Sequence, residues 1–96
     1  MHAVIRTYSG KGAKELGAVL KKRKKAVETV MRSVKGFTSY SLIDTGDGVI
    51  TVTVCKTKKG TDESVQKARD WVAKNAAETG AAAPQVSEGA VVLQLS

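Results

Sequence analysis

Hydrophobic and polar residues follow two different periods along this chain, and the changes between them predict its elements. Short runs rich in β-branched and aromatic residues, bounded by glycine and other turn formers, predict strands. Apolar residues that recur every three or four positions predict helices. The predicted order is strand, helix, strand, strand, helix, strand, over residues 2–8, 13–34, 37–44, 49–56, 60–78 and 90–95.

Turn and capping residues support this division. The segment "TGDG" offers Gly46 and Gly48 for a tight hairpin between the second and third strands. Thr61 and the two acids after it suit the start of the second helix, and "TGAAAPQVSEG" is read as a loop of small residues before the last strand. The order fits an α+β, ferredoxin-like βαββαβ fold, a four-stranded antiparallel sheet with two helices on one face. We expect residues 1–96 to form a single domain.

The alternation of strand side chains divides the predicted sheet into two faces of unequal polarity. One face is almost wholly apolar and is expected under the helices: Ala3, Ile5, Thr7, Tyr40, Leu42, Ile50, Val52, Val54, Val91, Leu93 and Leu95. The other face is mixed: His2, Val4, Arg6, Tyr8, Phe37, Ser39, Ser41, Ile43, Val49, Thr51, Thr53, Cys55, Ala90, Val92 and Gln94. Because exposed apolar surface of this extent usually marks an interface, we expect two copies to pair through the mixed face as a homodimer.

The polar members of the mixed face have two interpretations. In the first, Arg6, Thr51 and Thr53 are ordinary sheet residues, since threonine favours strands. In the second, Arg6, Tyr8 and the neighbouring hydroxyl groups line a cavity at the dimer interface, where an anionic or phenolic ligand binds. Mixed faces are common on antiparallel sheets, so the pattern favours the first interpretation.

The net charge of +7 is concentrated in the first third of the chain, where residues 1–35 hold ten Lys and Arg against two Glu. The run "LKKRKKAV" contributes five of these charges, at positions 21–25. On a helical wheel, Lys21, Lys22 and Lys25 face away from the apolar stripe and Lys24 borders it. The favoured interpretation is a solvated helix surface, and the alternative is weak, nonspecific binding of nucleic acid or another polyanion.

Arg23 falls inside the apolar stripe of the wheel, which makes it the most informative residue of the run. Either its stem packs at the core edge, or the helix bends there, or its charge lies at a pocket between helix and sheet and binds a carboxylate or enolate. Trp71 covers a core edge or a pocket wall, and Asn75 lies one turn further on the same side. The single histidine and single cysteine, His2 and Cys55, predict no metal site or catalytic triad.

The segments "GFTSYSLIDTGDGVITVTVC" and "GTDESVQKARDWVAKN" in this element order resemble the dimeric α/β-barrel superfamily. More narrowly, the chain resembles small bacterial proteins near the antibiotic-biosynthesis-monooxygenase-like (ABM-like) domains. The resemblance implies a cytoplasmic homodimer with a pocket between helices and sheet, which binds a small aromatic or phenolic molecule and oxidises it without a cofactor. Arg23, Trp71, Tyr40 and Arg6 are then the candidate ligand-binding residues. Haem-degrading members use a histidine after the tryptophan, which this chain lacks.

Overall fold

A computed structural model describes residues 1–96 as four strands and three helices. In chain order these are β1 (His2–Tyr8), α1 (Ala13–Lys22), α2 (Lys24–Arg32), β2 (Phe37–Asp44), β3 (Val49–Cys55), α3 (Lys58–Asn75) and β4 (Gln85–Ala90). A single 3-10 turn, Ala77–Thr79, follows α3. None of the helices is both long enough and apolar enough to cross a membrane.

The strands form one antiparallel sheet in the order β2-β3-β1-β4, and the helices pack on one of its faces. This is the strand order of the ferredoxin-like plan, in which each helical connection joins two strands that are consecutive in sequence but not neighbours in the sheet. The predicted fold class is therefore confirmed. The bounds of β1 and β2 agree with the prediction, and β3 ends one residue earlier.

The first predicted helix is divided in two at Arg23, whose φ of −109° and ψ of 31° are not helical. Its backbone N–H still donates to the carbonyl of Val19, and its own carbonyl accepts from Val27. Leu20 and Val27, on either side of the break, are both buried. The bend at Arg23, one of the alternatives from the sequence, is thus present. The prediction of a single helix over residues 13–34 was wrong.

The start of α3 differs from the prediction because Thr57, and not Thr61, caps the helix. The Thr57 hydroxyl accepts a hydrogen bond from the backbone of Gly60. Thr61 lies inside the first turn, is 1% exposed and donates its hydroxyl to the carbonyl of Lys58. A Cβ on Gly60 would lie 2.9 Å from the Cβ of Cys55 on β3, so the helix approaches the sheet closely at this point.

The last strand was predicted over residues 90–95, but β4 spans Gln85–Ala90. In the pairing register Ala90 lies opposite His2, the first residue of β1. Beyond it only the backbone of Val91 finds a partner, the carbonyl of Met1. The more apolar stretch is therefore left outside the sheet because the neighbouring strand ends, and Val92 is 96% exposed.

Along β1 and β3 the two faces of the sheet are the reverse of the prediction. Val4 and Val49, assigned to the outer face, are completely buried beneath the helices, whereas Ile5, assigned to the core, is 39% exposed. Both faces carry enough apolar side chains to be covered, so apolar content alone did not decide which one the helices take. The outer face, opposite the helices, is now the more apolar one.

β2 follows a different alternation because its pairing with β3 shifts register between Phe37 and Ser39. The shift brings Phe37 to the helix side together with Tyr40 and Leu42, and all three pack against the core. The prediction was therefore right for Tyr40 and Leu42 and wrong for Phe37. A strand bulge of this kind inserts one extra residue, so the alternation of side chains between the two faces is displaced by one position across it.

Candidate functional site

A cluster of polar side chains lies on the helix side of the sheet, at its centre. Arg6 is 3% exposed, Tyr8 5%, Thr51 1% and Thr53 fully buried. Arg6 lies directly opposite Thr51 in the β1–β3 pairing, and Tyr40 of β2 lies opposite Thr53. Because side chains of paired strands project to the same face, the three adjacent strands β2, β3 and β1 bring these five residues together.

Arg6 is a buried cation without a carboxylate partner. None of the ion pairs of the chain includes it, and its single side-chain hydrogen bond runs from Nη1 to the Tyr8 hydroxyl at 3.5 Å. Its Nε and the hydroxyls of Thr51 and Thr53 are buried without hydrogen-bond partners. Burying a charge in this state costs several kcal/mol, so the cluster is chemically complementary to an anion with several acceptor oxygens.

An inner cavity of about 20 Å³ lies between this cluster and the helices. Arg6 and Thr51 form its polar wall, and α1, α2 and α3 contribute apolar walls that include Met31 and Trp71. A volume of this size holds about one water molecule. The inner cavity is therefore too small for an aromatic ring.

An outer chamber of about 370 Å³ adjoins the inner cavity and shares Arg6, Tyr8 and Val72 with it. Its other walls come from α3, from β4 and from the segment between them, with alanines at positions 73, 76, 77, 81, 82 and 83. The volume falls in the range of small-ligand pockets. This chamber was not predicted from the sequence. Its only local signal is the alanine run of "TGAAAPQ", which was interpreted as a loop.

An open groove of about 690 Å³ runs between α2 and β2 on the other side of the inner cavity. Its rim is charged, but Lys21 pairs with Asp44 at 2.6 Å and Arg32 pairs with Glu28 at 2.9 Å. These pairs balance much of the charge of the groove. The outer chamber is therefore the better site for an anion, because the only unpaired buried cation faces it.

The pKa of Tyr40 is raised by burial, and the positive charge of Arg6 offsets part of this effect. The buried phenol is thus held in its neutral form, in which its hydroxyl can donate a hydrogen bond. A cation beside a neutral phenol favours a ligand that brings the negative charge itself.

The raised pKa of Tyr40 predicts a pH dependence of stability. The contribution of Tyr40 to the free energy of unfolding is fully present below about pH 10, the pKa of tyrosine in the unfolded chain. This contribution falls as the pH rises through the higher pKa of the folded state. Replacement of Tyr40 by phenylalanine will make this fall shallower. Urea unfolding midpoints between pH 8 and 11 measure it, and equal slopes in both proteins would contradict the assignment.

Arg23 does not point into the core as the wheel predicted. The side chain is exposed, and its guanidinium carbon lies 5.8 Å from the centre of the Trp71 ring. Trp71 in turn forms part of the wall of the inner cavity. Asn75 lies outside that cavity and donates its side-chain amide to the carbonyl of Trp71 at 3.0 Å. Arg23 and Asn75 therefore lie behind the tryptophan, and the structure does not bring them to Arg6.

The five residues of the basic run, at positions 21–25, are all exposed, and the break between α1 and α2 falls in their middle. Lys21 is neutralised by Asp44. Apart from Trp71 beside Arg23, no aromatic side chain stacks on the run. This is the arrangement of a solvated helix surface, and polyanion binding stays a prediction from charge.

His2 is held in a structural contact away from Arg6. Its Nδ1 lies 2.9 Å from the Thr61 hydroxyl and its Nε2 3.6 Å from a carboxylate oxygen of Glu88. The order Thr, His, Glu resembles a triad, but the Thr61 hydroxyl donates to a carbonyl and is buried. No cluster of three His, Cys, Asp or Glu side chains could hold a metal ion. Cys55 is a free, buried cysteine.

No protein-family model and no curated protein sequence matches the chain. Solved structures do match. The haem degrader MhuD of Mycobacterium tuberculosis, solved with two haems in its active site, is 22% identical with a TM-score of 0.64, over 99% of this chain and 98% of that one. A protein of Bordetella bronchiseptica, provisionally named an antibiotic biosynthesis monooxygenase, is 16% identical with a TM-score of 0.69, over 96% and 97%.

A third similar structure is a monooxygenase from the gene ActVA-Orf6 of Streptomyces coelicolor, in complex with nanaomycin D. It is 17% identical with a TM-score of 0.52, over 97% of this chain and 90% of that one. At these identities the likeness establishes the fold alone. It confirms that the chain has the ferredoxin-like fold of the ABM-like proteins.

Proposed function

We propose that this protein binds a small aromatic anion, a phenolate or an aryl carboxylate, in the outer chamber. One observation carries the proposal: Arg6 is buried, faces the chamber and has no acidic partner in the chain. An anionic group placed against Arg6 would supply the missing partner, and the apolar walls would cover the ring. The known ligands of MhuD and of the Streptomyces monooxygenase support a small-molecule site in this fold.

The second part of the proposal is oxidation of a bound phenol without a metal or flavin. The charge of Arg6 would lower the pKa of the phenol and hold it as the phenolate. An electron would then pass from the phenolate to dioxygen, which gives a phenoxyl radical and superoxide. Haem is the less suitable ligand, because His2 is engaged with Thr61 and Glu88 and does not line the chamber.

The third part is a homodimer formed through the outer face of the sheet. Ile5 and Ile43 are 39% and 44% exposed there, and the pairing register places Val52 opposite Ile5 and Ile50 opposite Ile43. A contiguous apolar patch on a sheet is typical of an interface. One similar solved structure is described as a dimeric ferredoxin-like protein. Along β1 and β3 the interface we propose is therefore the face that the sequence assigned to the core, whereas Ile43 of β2 was assigned to the outer face.

Calorimetric titration tests the binding site directly. 2-Naphthoate should bind at least about tenfold more tightly than neutral 2-naphthalenemethanol of similar shape, because only the anion satisfies Arg6. Equal affinity of the two compounds, or no binding of either at millimolar concentration, would refute the proposal. Oxygen uptake with a panel of hydroquinones tests the second part, and no uptake across the panel would refute oxidation while leaving the binding result to stand.

A further inference from the structure

The walls of the outer chamber contain two positive charges and no negative one. Arg6 lies at the inner end and Arg69, on α3, at the exposed surface. No Asp or Glu lines the chamber. A concave site lined by cations and by no acids favours anionic ligands over neutral ones.

Arg69 is held at the chamber by its position on α3. It follows Val65 by one helical turn and precedes Val72 and Ala73, and all four residues line the chamber. None of the ion pairs of the chain includes Arg69. Its neighbour Asp70 accepts a hydrogen bond from Gln66 instead. The guanidinium of Arg69 is therefore free for a ligand.

The wall between the two arginines is apolar and built mainly from small side chains. Alanine contributes six of the lining positions, and Pro84 and Val86 close the side towards β4. Small side chains leave a slot that accepts a flat ring without offering hydrogen bonds. The chamber thus presents a cation, an apolar slot and a second cation in sequence.

We infer that the ligand is an aromatic compound with two anionic groups at opposite ends of its ring system. One group, a phenolate or carboxylate, contacts Arg6, and the other, a carboxylate or a group of similar charge, contacts Arg69. This inference rests on the proposed function and narrows its ligand class. Arg6 provides the larger share of affinity because it is buried, whereas Arg69 provides selectivity for the second charge.

Calorimetry with three naphthalene carboxylates tests the inference. The 2,6-dicarboxylate should bind about fivefold to tenfold more tightly than 2-naphthoate, since it alone reaches both arginines. The 2,3-dicarboxylate has the same net charge with both groups at one end and should not show this gain. Arg69→Gln should remove the gain, because it weakens the binding of the 2,6-dicarboxylate more than that of 2-naphthoate. Lys74→Gln is the matched control, because Lys74 is an exposed cation of α3 outside the chamber.

The outcomes separate this inference from the proposed function. Equal affinity of 2-naphthoate and the 2,6-dicarboxylate, or an equal loss of the gain in Arg69→Gln and Lys74→Gln, would overturn the two-anion ligand while 2-naphthoate binding persisted. An equal gain for both dicarboxylates would overturn it as well, since net charge would then explain the result. Failure of every naphthoate to bind the unaltered protein would instead overturn the proposed function.

Discussion

Replacement of Arg6 by methionine will make the protein more stable and will abolish its binding of aromatic anions. Methionine fills a similar volume and removes a buried charge that no carboxylate of the chain neutralises. Substitutions of buried charges by well-packed apolar side chains stabilise proteins by about 1–4 kcal/mol. For a chain of this size, that gain corresponds to a rise in Tm of roughly 4–30 °C.

Thermal unfolding at one fixed protomer concentration measures the stability, and calorimetry with 2-naphthoate measures the binding, which should weaken at least about a hundredfold. Arg32→Met is the matched control. Arg32 is exposed and paired with Glu28, so its replacement should change the free energy of unfolding by less than about 1 kcal/mol. A lower Tm of Arg6→Met would mean that Arg6 stabilises the fold, and retained naphthoate binding would mean that it does not hold the ligand.

Substitution of Ile5 by glutamate will separate the proposed dimer into monomers. Ile5 lies at the centre of the outer face, on β1, with β3 on one side and β4 on the other. In a two-fold dimer each substitution acts on both copies, so two carboxylates enter one apolar interface. The dissociation constant of the dimer should rise at least about a hundredfold, because buried unpaired charges cost several kcal/mol.

Sedimentation over a series of concentrations measures the change. Ala18→Glu introduces the same charge on the exposed surface of α1, on the far side of the sheet, and should leave the dimer unaffected. Ile5 is already 39% exposed in the single chain, so the variant monomer should keep its helical circular dichroism. A dimer of unchanged affinity in Ile5→Glu, or a monomeric unaltered protein at high micromolar concentration, would contradict the proposed interface.

The elements that could be predicted are those whose signal is local. The strands β1 and β2 are runs of strand-forming residues, and glycines mark the turn between β2 and β3. β4 could not be found in this way, because its position depends on where β1 offers a free backbone edge. The prediction of which sheet face the helices cover was wrong along β1 and β3 for a similar reason. Alternation separates two faces, but both are apolar enough to be covered, and only the packing of the helices decides between them.

Some of the candidate site residues lie together in the structure, and their role in ligand binding stays a prediction. Arg6, Tyr8 and Tyr40 were selected from their residue types, and the structure brings them together, although beneath the helices and not at a dimer interface. The wheel placed Arg23 within the apolar stripe because it assumes an unbroken helix, but the helix breaks at that residue and the side chain is exposed. The outer chamber depends on a loop that returns across α3, which no periodicity in the sequence can reveal.

Cys55 is a natural probe for unfolding of the protein. The thiol is fully buried and its pKa is raised, first by burial and then by the nearby charge of Glu63. Since thiolate is the reactive form, alkylating reagents will modify Cys55 only as fast as the native structure exposes it. Labelling rates can therefore record unfolding without an engineered probe. Because the thiol is buried, two folded copies cannot be joined by a disulfide through it, so a dimer formed in air will dissociate without a reductant.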